Sequence, residues 1–195
     1  KTRYTGCAHG ALTRPPAPAS CCCHTMPLPD YPRLLTARSC HATPLGPMHL
    51  ACTADALAGA WFEPQRHFDP ASLAGVPEQP DHPVLQAAAA ALDAYFQGQP
   101  LAELPLAYVE GTPFQQQVWH WLCGIPHGQT RSYGQIAAAL GRPNASRAVG
   151  MAVGRNPVSL FVPCHRVLGS QGQLTGYGGG LERKTALLHL EQSQA

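Results

Sequence analysis

The chain has 195 residues and a net charge of only +2, with 12% charged and 45% hydrophobic residues. A hydrophobic share of this size is enough for a buried core, which excludes a disordered chain, and the length allows one domain or two small ones. No apolar run approaches the roughly 18 residues of a membrane span, and the first residues lack an apolar signal core, so we expect neither an integral membrane protein nor a secreted one.

The charge is unevenly distributed along the chain. Residues 1–109 carry six basic and eight acidic side chains, whereas residues 110–195 carry seven basic and three acidic ones. A basic C-terminal half indicates an anionic partner, and nucleic acid is the first candidate. The alternative is a chance imbalance on a solvated surface, and on charge alone that alternative is favoured.

Eight cysteines, three of them consecutive, do not fit a disulfide scaffold in a chain of this length, so we expect free thiols in a reducing compartment. A group of cysteines and histidines near the N-terminus could in principle bind zinc: Cys7, His9, Cys21, Cys23 and His24. Their spacing matches no standard pair of zinc knuckles, and we predict no metal.

The first 30 residues are expected to form an unstructured extension. The segment ALTRPPAPAS is rich in Pro and Ala and shows no hydrophobic period. Met26 stands just before the first segment with a folding pattern, and we expect the natural start to lie near it.

A β-rich domain with one helix and a linker is predicted for residues 31–105. Short apolar or alternating runs separated by two turns (Gly46-Pro47 and Ala54-Asp55) predict three strands, at Leu34–Ser39, Met48–Thr53 and Leu57–Phe62. The segment VLQAAAAALDAYFQ then predicts a helix that Asp81 caps and Gly98 closes. The stretch Gln99–Leu106 contains two prolines and predicts a linker.

A mainly helical domain is predicted for residues 106–195. Thr112 to Gln115 and Ser132 to Gln135 each form a capping box, which predicts the helices FQQQVWHWLCGI and YGQIAAAL. Asn144 is predicted to cap a third helix, ASRAVGMAVGR. The last two helices, joined by a short turn, predict a helix-turn-helix.

A helix-turn-helix is often only a packing unit. Three arginines around its second helix favour DNA binding instead: Arg142, Arg147 and Arg155. Beyond it, VSLFV predicts a short strand, a glycine-rich loop runs from Gly169 to Gly180, and LERKTALLHLEQ predicts the last helix.

Cys164 is a candidate nucleophile at the end of the predicted strand. A thiol reacts as thiolate, and an ordinary cysteine is mostly protonated at neutral pH, so activation needs a base, a cation or a helix N-terminus nearby. His165 and Arg166 follow it directly in the sequence. Because adjacent side chains need not point the same way, His165 would act through a water. The alternative is one more buried cysteine without reactivity.

The residues PCHRV, after Asn156-Pro157 and an apolar run, resemble the active-site motif of the O6-alkylguanine-DNA alkyltransferase family. The resemblance extends upstream to GTPFQQQVWHWLCGIPHGQTRSYGQIAAALGRPNASRAVG and downstream through TGYGGGLERKTALLHLE. The segment TPLGPMHLACTADALAGAWF looks like the β-rich N-terminal domain of the same family. Together these segments cover about residues 33–191.

The resemblance implies a suicide reaction in which the alkyl group on O6 of guanine moves irreversibly to the protein. Cys164 matches the acceptor, His165 the water-bridged base, and Glu191 the carboxylate that orients this base, which is the arrangement of nucleophile, base and orienting group. Asn156 matches the hinge residue between the recognition helix and the active-site strand.

The resemblance also implies a set of DNA-binding and base-binding positions, because the target guanine must be flipped out of the duplex. Arg147 matches the side chain that fills the vacated stack, Tyr133 the contact to the flipped nucleotide, and small residues such as Ala145 and Gly150 allow a close approach in the minor groove. The wall of the base pocket and its surroundings match further residues: Ser132, Arg166, Val167, Tyr177, Gly178 and Lys184. Glycine at 178, where mammalian relatives have serine, predicts a roomier pocket.

The implied fold class is α/β, more narrowly α+β, with a small β-sheet domain followed by a helical domain that carries the helix-turn-helix and the cysteine. The resemblance implies no cofactor, a monomer acting on double-stranded DNA, no membrane partner, and a location in the prokaryotic cytoplasm at the nucleoid or in the eukaryotic nucleus. The alternatives are a non-catalytic helix-turn-helix protein that binds alkyl lesions, and a thiol hydrolase that uses Cys164 and His165.

Overall fold

The first half of the chain forms a three-stranded antiparallel sheet. A computed structural model describes residues 34–193, and its first strands are β1 (Ala37–Thr43), β2 (Gly46–Cys52) and β3 (Leu57–Phe62), in that order in the sheet. The extension predicted for residues 1–30 and the possible zinc set lie outside the described residues. Each predicted strand is present, but β1 begins three residues later and ends four residues later than predicted.

The turn predicted at Gly46-Pro47 was wrong, because Gly46 is already paired with Thr43 at the start of β2. Thr43 closes the tighter turn: its hydroxyl donates to the Gly46 carbonyl at 2.6 Å and accepts from the Leu45 amide at 3.2 Å. Gly46 has φ +107°, a backbone conformation that favours glycine. The side-chain hydrogen bonds of Thr43 therefore place the reversal two residues earlier than the sequence predicted.

Strand β3 is buried over its whole length, as expected for a strand covered on both faces. Leu57, Ala60 and Phe62 belong to the main hydrophobic core, and Ala58 and Trp61 belong to a smaller core on the other face. The sheet thus separates the large core, which continues into the second half of the chain, from a satellite core beneath the loop that follows.

Helix α1 (Pro83–Phe96) packs its buried face, which includes Leu85, Leu92 and Tyr95, against the sheet. The cap predicted at Asp81 was wrong by one residue, since His82 is the N-cap and its ring nitrogen accepts from the Val84 amide at 3.3 Å. The imidazole nitrogen here caps the helix N-terminus, a role that side-chain carboxylates and hydroxyls usually have.

The predicted linker Gln99–Leu106 ends in contact with the sheet. Leu106 forms a parallel bridge with Leu57, and the Ala107 amide donates to the Leu57 carbonyl at 2.9 Å. The division into domains at about residue 105 stays a prediction.

Both predicted capping boxes are confirmed. Thr112 begins helix α2 (Pro113–Cys123), Ser132 begins helix α3 (Tyr133–Ala139), and in each case the side-chain and backbone bonds run in both directions. Ser132 also ends the short strand β4 (Arg131–Ser132), which pairs in parallel with β5 (Val167–Leu168).

Helix α4 (Ser146–Gly154) follows α3 across the predicted turn. The cap predicted at Asn144 was wrong: the N-cap is Ala145, and it makes no side-chain capping bond. The turn is closed by backbone instead, because the Ala145 amide donates to the Arg142 carbonyl at 2.9 Å. The indole of Trp119 on α2 donates to the Ala152 carbonyl at 2.7 Å and fixes α4 against α2.

The strand predicted for VSLFV was also wrong. Val158 makes an isolated bridge with Ala60, and the chain then reverses at Leu160, whose φ is +73°. All five residues are buried, so their apolar run reflects burial in a turn and not an extended strand. The last helix, α5 (Leu181–Gln192), has the predicted bounds. Within residues 34–193, no helix has the length and apolar character needed to cross a bilayer.

Candidate active site and DNA-facing surface

Cys164 begins a short 3-10 turn, Cys164–Arg166, directly after the buried reversal. Its side chain is buried, with 3% of the residue exposed, and its amide donates to the Val162 carbonyl at 2.7 Å. The turn presents three consecutive functional side chains and packs against α5, which is how a scaffold holds a reactive group in a fixed orientation.

Asn156 holds both ends of this reversal and contacts the thiol. Its Nδ2 donates to the Val162 carbonyl at 2.9 Å and to Cys164 Sγ at 3.0 Å, while its Oδ1 accepts from the Val158 amide at 3.0 Å. Because the amide is itself buried, these bonds are shielded from water, so they fix the position of the sulfur.

The thiol lies in a mixed electrostatic environment. Burial raises the pKa of Cys164, while the Asn156 hydrogen bond and the positive charge of Lys184 oppose that rise. The balance leaves the pKa above its usual value, so the resting side chain is a neutral thiol at neutral pH. A nucleophile at this position therefore needs a base that removes its proton at the moment of reaction.

His165 is fully buried and pairs with Glu191 near the end of α5. Its Nε2 lies 2.8 Å from Glu191 Oε1. A carboxylate only accepts, so Nε2 carries the hydrogen and Nδ1 of the neutral ring keeps its lone pair. Nδ1 has no hydrogen-bond partner among the described residues. Burial lowers the pKa of His165 despite the opposing effect of Glu191, so the neutral ring, which can accept a proton at Nδ1, predominates at neutral pH.

Glu191 is a buried carboxylate that accepts from several donors. Arg166 binds it through Nε and a terminal nitrogen at 2.9 Å each, the Gly128 amide donates to Oε2 at 3.1 Å, and the Tyr95 hydroxyl donates to Oε1 at 2.8 Å. Burial alone would raise the pKa of Glu191, but the bonds and charges of His165 and Arg166 hold it well below its usual range. Glu191 is therefore ionised and fixed in orientation.

Lys184 places a positive charge near the Cys164 sulfur. It is fully buried, and its ammonium donates to the Val167 and Thr175 carbonyls. Burial lowers the pKa of Lys184 to about 8, with Cys164 opposing the shift. The same Thr175 carbonyl accepts from the Tyr133 hydroxyl at 3.2 Å, so α3, α5 and the glycine-rich loop meet at one carbonyl.

The glycine-rich loop is also tied to the first half of the chain. The Gly178 carbonyl accepts from the Arg66 amide at 2.8 Å. Arg183 donates to carbonyls of Leu45 and Glu63 in the sheet region, and its guanidinium lies 4.9 Å from the centre of the Phe62 ring. These contacts hold Tyr177, a buried side chain, close to β3.

Helix α4 presents an exposed face beside α3. Arg147 and Arg155 are exposed, and Met151, one helical turn from each, is 66% exposed. A Cβ on Gly150 would lie 3.8 Å from the Tyr133 ring, so Tyr133 sits beside the middle of α4. Arg142 in the connecting turn stacks on Phe114 at 5.1 Å. An exposed basic helix face of this kind suits a phosphate backbone.

The structure brings the predicted catalytic residues together as two buried side-chain pairs, Asn156 with Cys164 and His165 with Glu191, which are joined because Cys164 and His165 are neighbours in the 3-10 turn. Of the predicted binding residues, Arg166 and Lys184 are buried beside these pairs, Val167 supplies a carbonyl to Lys184, and Tyr177 and Gly178 lie in the adjoining loop. Ser132 caps α3, Tyr133 begins it, and Arg147 and Gly150 lie on α4, which Ala145 precedes.

Sequence reasoning missed four residues around the site. Tyr95 and Gly128 bind Glu191, His127 Nδ1 lies 4.0 Å from the same carboxylate, and Met151 occupies the exposed face of α4. Met151 was detectable as a large apolar residue among small ones, but the contacts of Tyr95 span 96 positions and left no local signal. Within residues 34–193, no group of three or more His, Cys, Asp or Glu is arranged to hold a metal ion.

Two family models match the chain. The ribonuclease-like domain of 6-O-methylguanine DNA methyltransferase matches residues 37–108, and the DNA binding domain of the same family matches residues 113–193. The chain is 46% identical over 162 residues to the methylated-DNA–protein-cysteine methyltransferase of Mycobacterium bovis, covering 78% of this chain and 90% of the relative. The enzyme of that name from Salmonella typhimurium is 62% identical over 81 residues, 42% of this chain and 47% of the relative.

Solved structures agree with the sequence matches. The crystal structure of Mycobacterium tuberculosis O6-methylguanine methyltransferase superimposes with a TM-score of 0.73 at 43% identity, over 82% of this chain and 94% of that one. The Mycobacterium tuberculosis protein crystallised in complex with DNA gives a TM-score of 0.74 at 42% identity, over 82% and 95%. Matches of this extent to both halves leave one assignment: the chain belongs to the 6-O-methylguanine DNA methyltransferase family.

Proposed function

We propose that this protein repairs DNA by direct reversal, transferring the alkyl group of O6-alkylguanine to Cys164, with O4-alkylthymine as a second candidate substrate. The observation that carries the proposal is the presence of two buried pairs, Asn156 with the Cys164 thiol and His165 with Glu191, on neighbouring residues of one turn in a chain of this family. Relatives carry the name methylated-DNA–protein-cysteine methyltransferase, which describes a DNA substrate and a cysteine acceptor. The reaction class is therefore an alkyl transfer to the enzyme itself.

The proposed reaction begins with proton removal from Cys164. A water relays the thiol proton to Nδ1 of His165, and Glu191, already ionised, stabilises the imidazolium that forms. Asn156 and Lys184 stabilise the thiolate, since both favour the charged sulfur. The thiolate attacks the alkyl carbon, a C–S bond forms as the bond from that carbon to O6 breaks, and guanine takes up one proton in place of the alkyl group. The thioether is stable in water, so each molecule reacts once.

The DNA side of the proposal uses the exposed face of α4. The target atom lies inside the duplex, so the nucleotide must leave the stack. We place α4 in the minor groove, because small residues around Gly150 allow the helix to approach the DNA closely. Arg147 would fill the space that the flipped nucleotide leaves in the base stack, and Tyr133 would contact that nucleotide. The protein would act as a monomer. The compartment, prokaryotic cytoplasm or eukaryotic nucleus, stays a prediction.

The base pocket is proposed to lie between Tyr177 and the 3-10 turn. Backbone groups of Cys164, Val167 and Gly178 would read the guanine edge, and Lys184 supports this wall by binding the Val167 and Thr175 carbonyls. A pocket of this kind recognises the base through main-chain groups and needs no charged side chain. The protons of the reaction therefore move only among Cys164, His165 and guanine.

Turnover distinguishes this function from its two alternatives. With an excess of duplex DNA carrying O6-methylguanine, we expect repaired guanine to rise to one equivalent of protein and then stop. Cys164→Ala should repair none, and Cys40→Ala, which removes an exposed thiol, should repair one equivalent. Binding without repair would support a lesion-binding protein, and repeated turnover on esters or amides would support a thiol hydrolase; either result would reject the proposal.

A further inference from the structure

The carboxylate of Glu191 receives a hydrogen bond from the opposite half of the molecule. Among the described residues, Glu191 accepts from Gly128, His165 and Arg166 in the C-terminal half and from the Tyr95 hydroxyl on α1. Tyr95 is 1% exposed, and its contact with Oε1 measures 2.8 Å. A buried side-chain hydrogen bond across 96 positions is specific to this fold, since no local backbone geometry demands it.

The direction of this bond is fixed by charge. Burial, together with the negative charge of Glu191, raises the pKa of Tyr95, so the phenol keeps its proton and donates it. Oε1 therefore accepts from Tyr95 and from Nε2 of His165, both at 2.8 Å, and from a terminal nitrogen of Arg166 at 2.9 Å. Donors that share one oxygen compete for its electron density, so removing the Tyr95 donor strengthens the bonds from the others.

We propose that Tyr95 is a positioning residue of the transfer reaction, and that its hydroxyl holds Oε1 of Glu191 in place and limits the basicity of His165. Without the hydroxyl, Oε1 would interact more strongly with the imidazolium of His165, which would then lose its proton less easily. The first half of the chain thus contributes a donor to the catalytic group and does more than support the fold. This inference rests on the proposed function for its kinetic consequence.

Other charged groups near His165 and Glu191 act equally on the wild type and on a variant that lacks the Tyr95 hydroxyl. The titratable and charged side chains that act on His165 and Glu191 are Arg166 on the same 3-10 turn, Lys184 on α5, and His127, whose Nδ1 lies 4.0 Å from Oε1; the Cys164 thiol belongs to the neighbouring residue. The Tyr95 ring also meets the His127 ring edge-on at 6.1 Å. A change that removes only the Tyr95 oxygen leaves these groups and the ring packing in place.

The test compares Tyr95→Phe with Tyr108→Phe. Tyr108 is a buried tyrosine of the same half, 2% exposed, whose hydroxyl lies 3.7 Å from the sulfur of Cys123. Single-turnover rates of methyl transfer would be measured from pH 5.5 to 9. For Tyr95→Phe we expect the acid limb of the profile to move up by about 0.5–1 pH unit, which lowers the rate by up to about 3- to 10-fold on that limb and leaves it nearly unchanged at pH 9. Tyr108→Phe should superimpose on the wild type.

A second readout does not need the reaction. Titration of the His165 ring by NMR should give the same upward shift in Tyr95→Phe, so this inference can be judged even if the protein transfers no alkyl group. Replacing Tyr95 by 3-fluorotyrosine, a stronger donor of nearly the same size, should move the titration the opposite way and covers a failure of the phenylalanine variant to fold. Unmoved midpoints, or a rate lowered equally at every pH, would overturn the proposal and leave Tyr95 a purely structural residue.

Discussion

At the scale of single residues, the main feature of the site is a thiol that is buried, neutral and held in place. Asn156 achieves the placement, because one amide group satisfies two backbone ends of the reversal and still contacts Cys164 Sγ. The base is equally prepared, since Glu191 fixes the His165 ring with Nδ1 in the accepting form. In the resting site the Cys164 thiol and the His165 ring are therefore oriented but neutral. Charge develops on them only when the proton moves from the thiol to the ring.

Replacing Asn156 should test this placement. In Asn156→Ala, buried groups at Val158 and Val162 lose their partner and the thiolate loses a donor, so we expect a loss of about 1–3 kcal/mol in the free energy of unfolding and a roughly tenfold slower transfer. Asn144→Ala is the control, because Asn144 is exposed and does not cap α4. Urea denaturation and single-turnover kinetics measure both effects. Equal stability and equal rates in the two variants would contradict the role given to Asn156.

At the scale of elements, the glycine-rich loop is packed unevenly between the 3-10 turn and the sheet. A Cβ on Gly179 would lie 2.8 Å from the Tyr177 ring and 3.2 Å from the Phe62 ring, whereas a Cβ on Gly178 would first meet Gln65 Cγ at an ordinary 3.4 Å. Glycine is therefore required at 179 by close approach. At 178 the structure has room for a side chain, and a roomier base pocket there stays a prediction.

This difference predicts opposite outcomes for two neighbouring substitutions. Gly179→Ala should cost about 1–3 kcal/mol of stability by overpacking and should slow transfer, because the Tyr177 ring must shift. Gly178→Ala should leave stability unchanged or raise it by up to about 1 kcal/mol through the unfolded state. The denaturation midpoints of both variants decide the point. An equal loss in both would mean that the loop relaxes freely and that its packing carries no constraint.

Elements with local signals could be predicted from the sequence, and those set by distant contacts could not. The capping boxes at Thr112 and Ser132 depend on residues three apart, and both are present. The cap expected at Asn144 failed because backbone bonds close that turn. The strand expected at VSLFV failed because Asn156 satisfies the backbone that a sheet would have paired. Tyr95 contacts Glu191 through the assembled fold, so only the structure could place it in the site.

At the scale of the whole molecule, the site depends on contacts between the two halves of the chain. Arg183 binds carbonyls of the sheet region, Ala107 extends the hydrogen bonding of β3, and Tyr95 reaches Glu191. The buried charges lie at this junction, where Glu191 and Arg166 compensate each other. Breaking such a buried ion pair costs folding free energy. The same residues therefore stabilise the fold and hold the catalytic side chains in position.

The stability of the protein should therefore fall in acid. Burial lowers the pKa of His165, and the charges of His165 and Arg166 hold the pKa of Glu191 well below its usual value in spite of burial. For both groups the unfolded chain binds the proton first, so their stabilisation is complete above pH 6.5 and declines progressively as the pH falls below the ordinary pKa values, first 6.5 for His165 and then 4.5 for Glu191. Melting temperatures between pH 8 and pH 4 should decrease accordingly.

A pair of variants on α5 isolates the contribution of the buried carboxylate. Glu191→Gln should be less stable at neutral pH, by about 3–5 kcal/mol if Arg166 is left without a counter-charge, and its stability should depend less on pH in acid. Glu182→Gln, an exposed position of the same helix, should keep the wild-type dependence. A wild-type melting temperature that stays level or rises on acidification would contradict the electrostatics described for the site.

The central claim is that the alkyl group ends on Cys164, and mass spectrometry tests it most directly. After reaction with duplex DNA that carries O6-methylguanine, the intact protein should gain one methyl group in place of one proton, and fragmentation should place it on the peptide that contains Cys164. The spectrum should show no second addition, however large the excess of DNA. A methyl group on another residue, or unmodified protein alongside repaired DNA, would contradict the account.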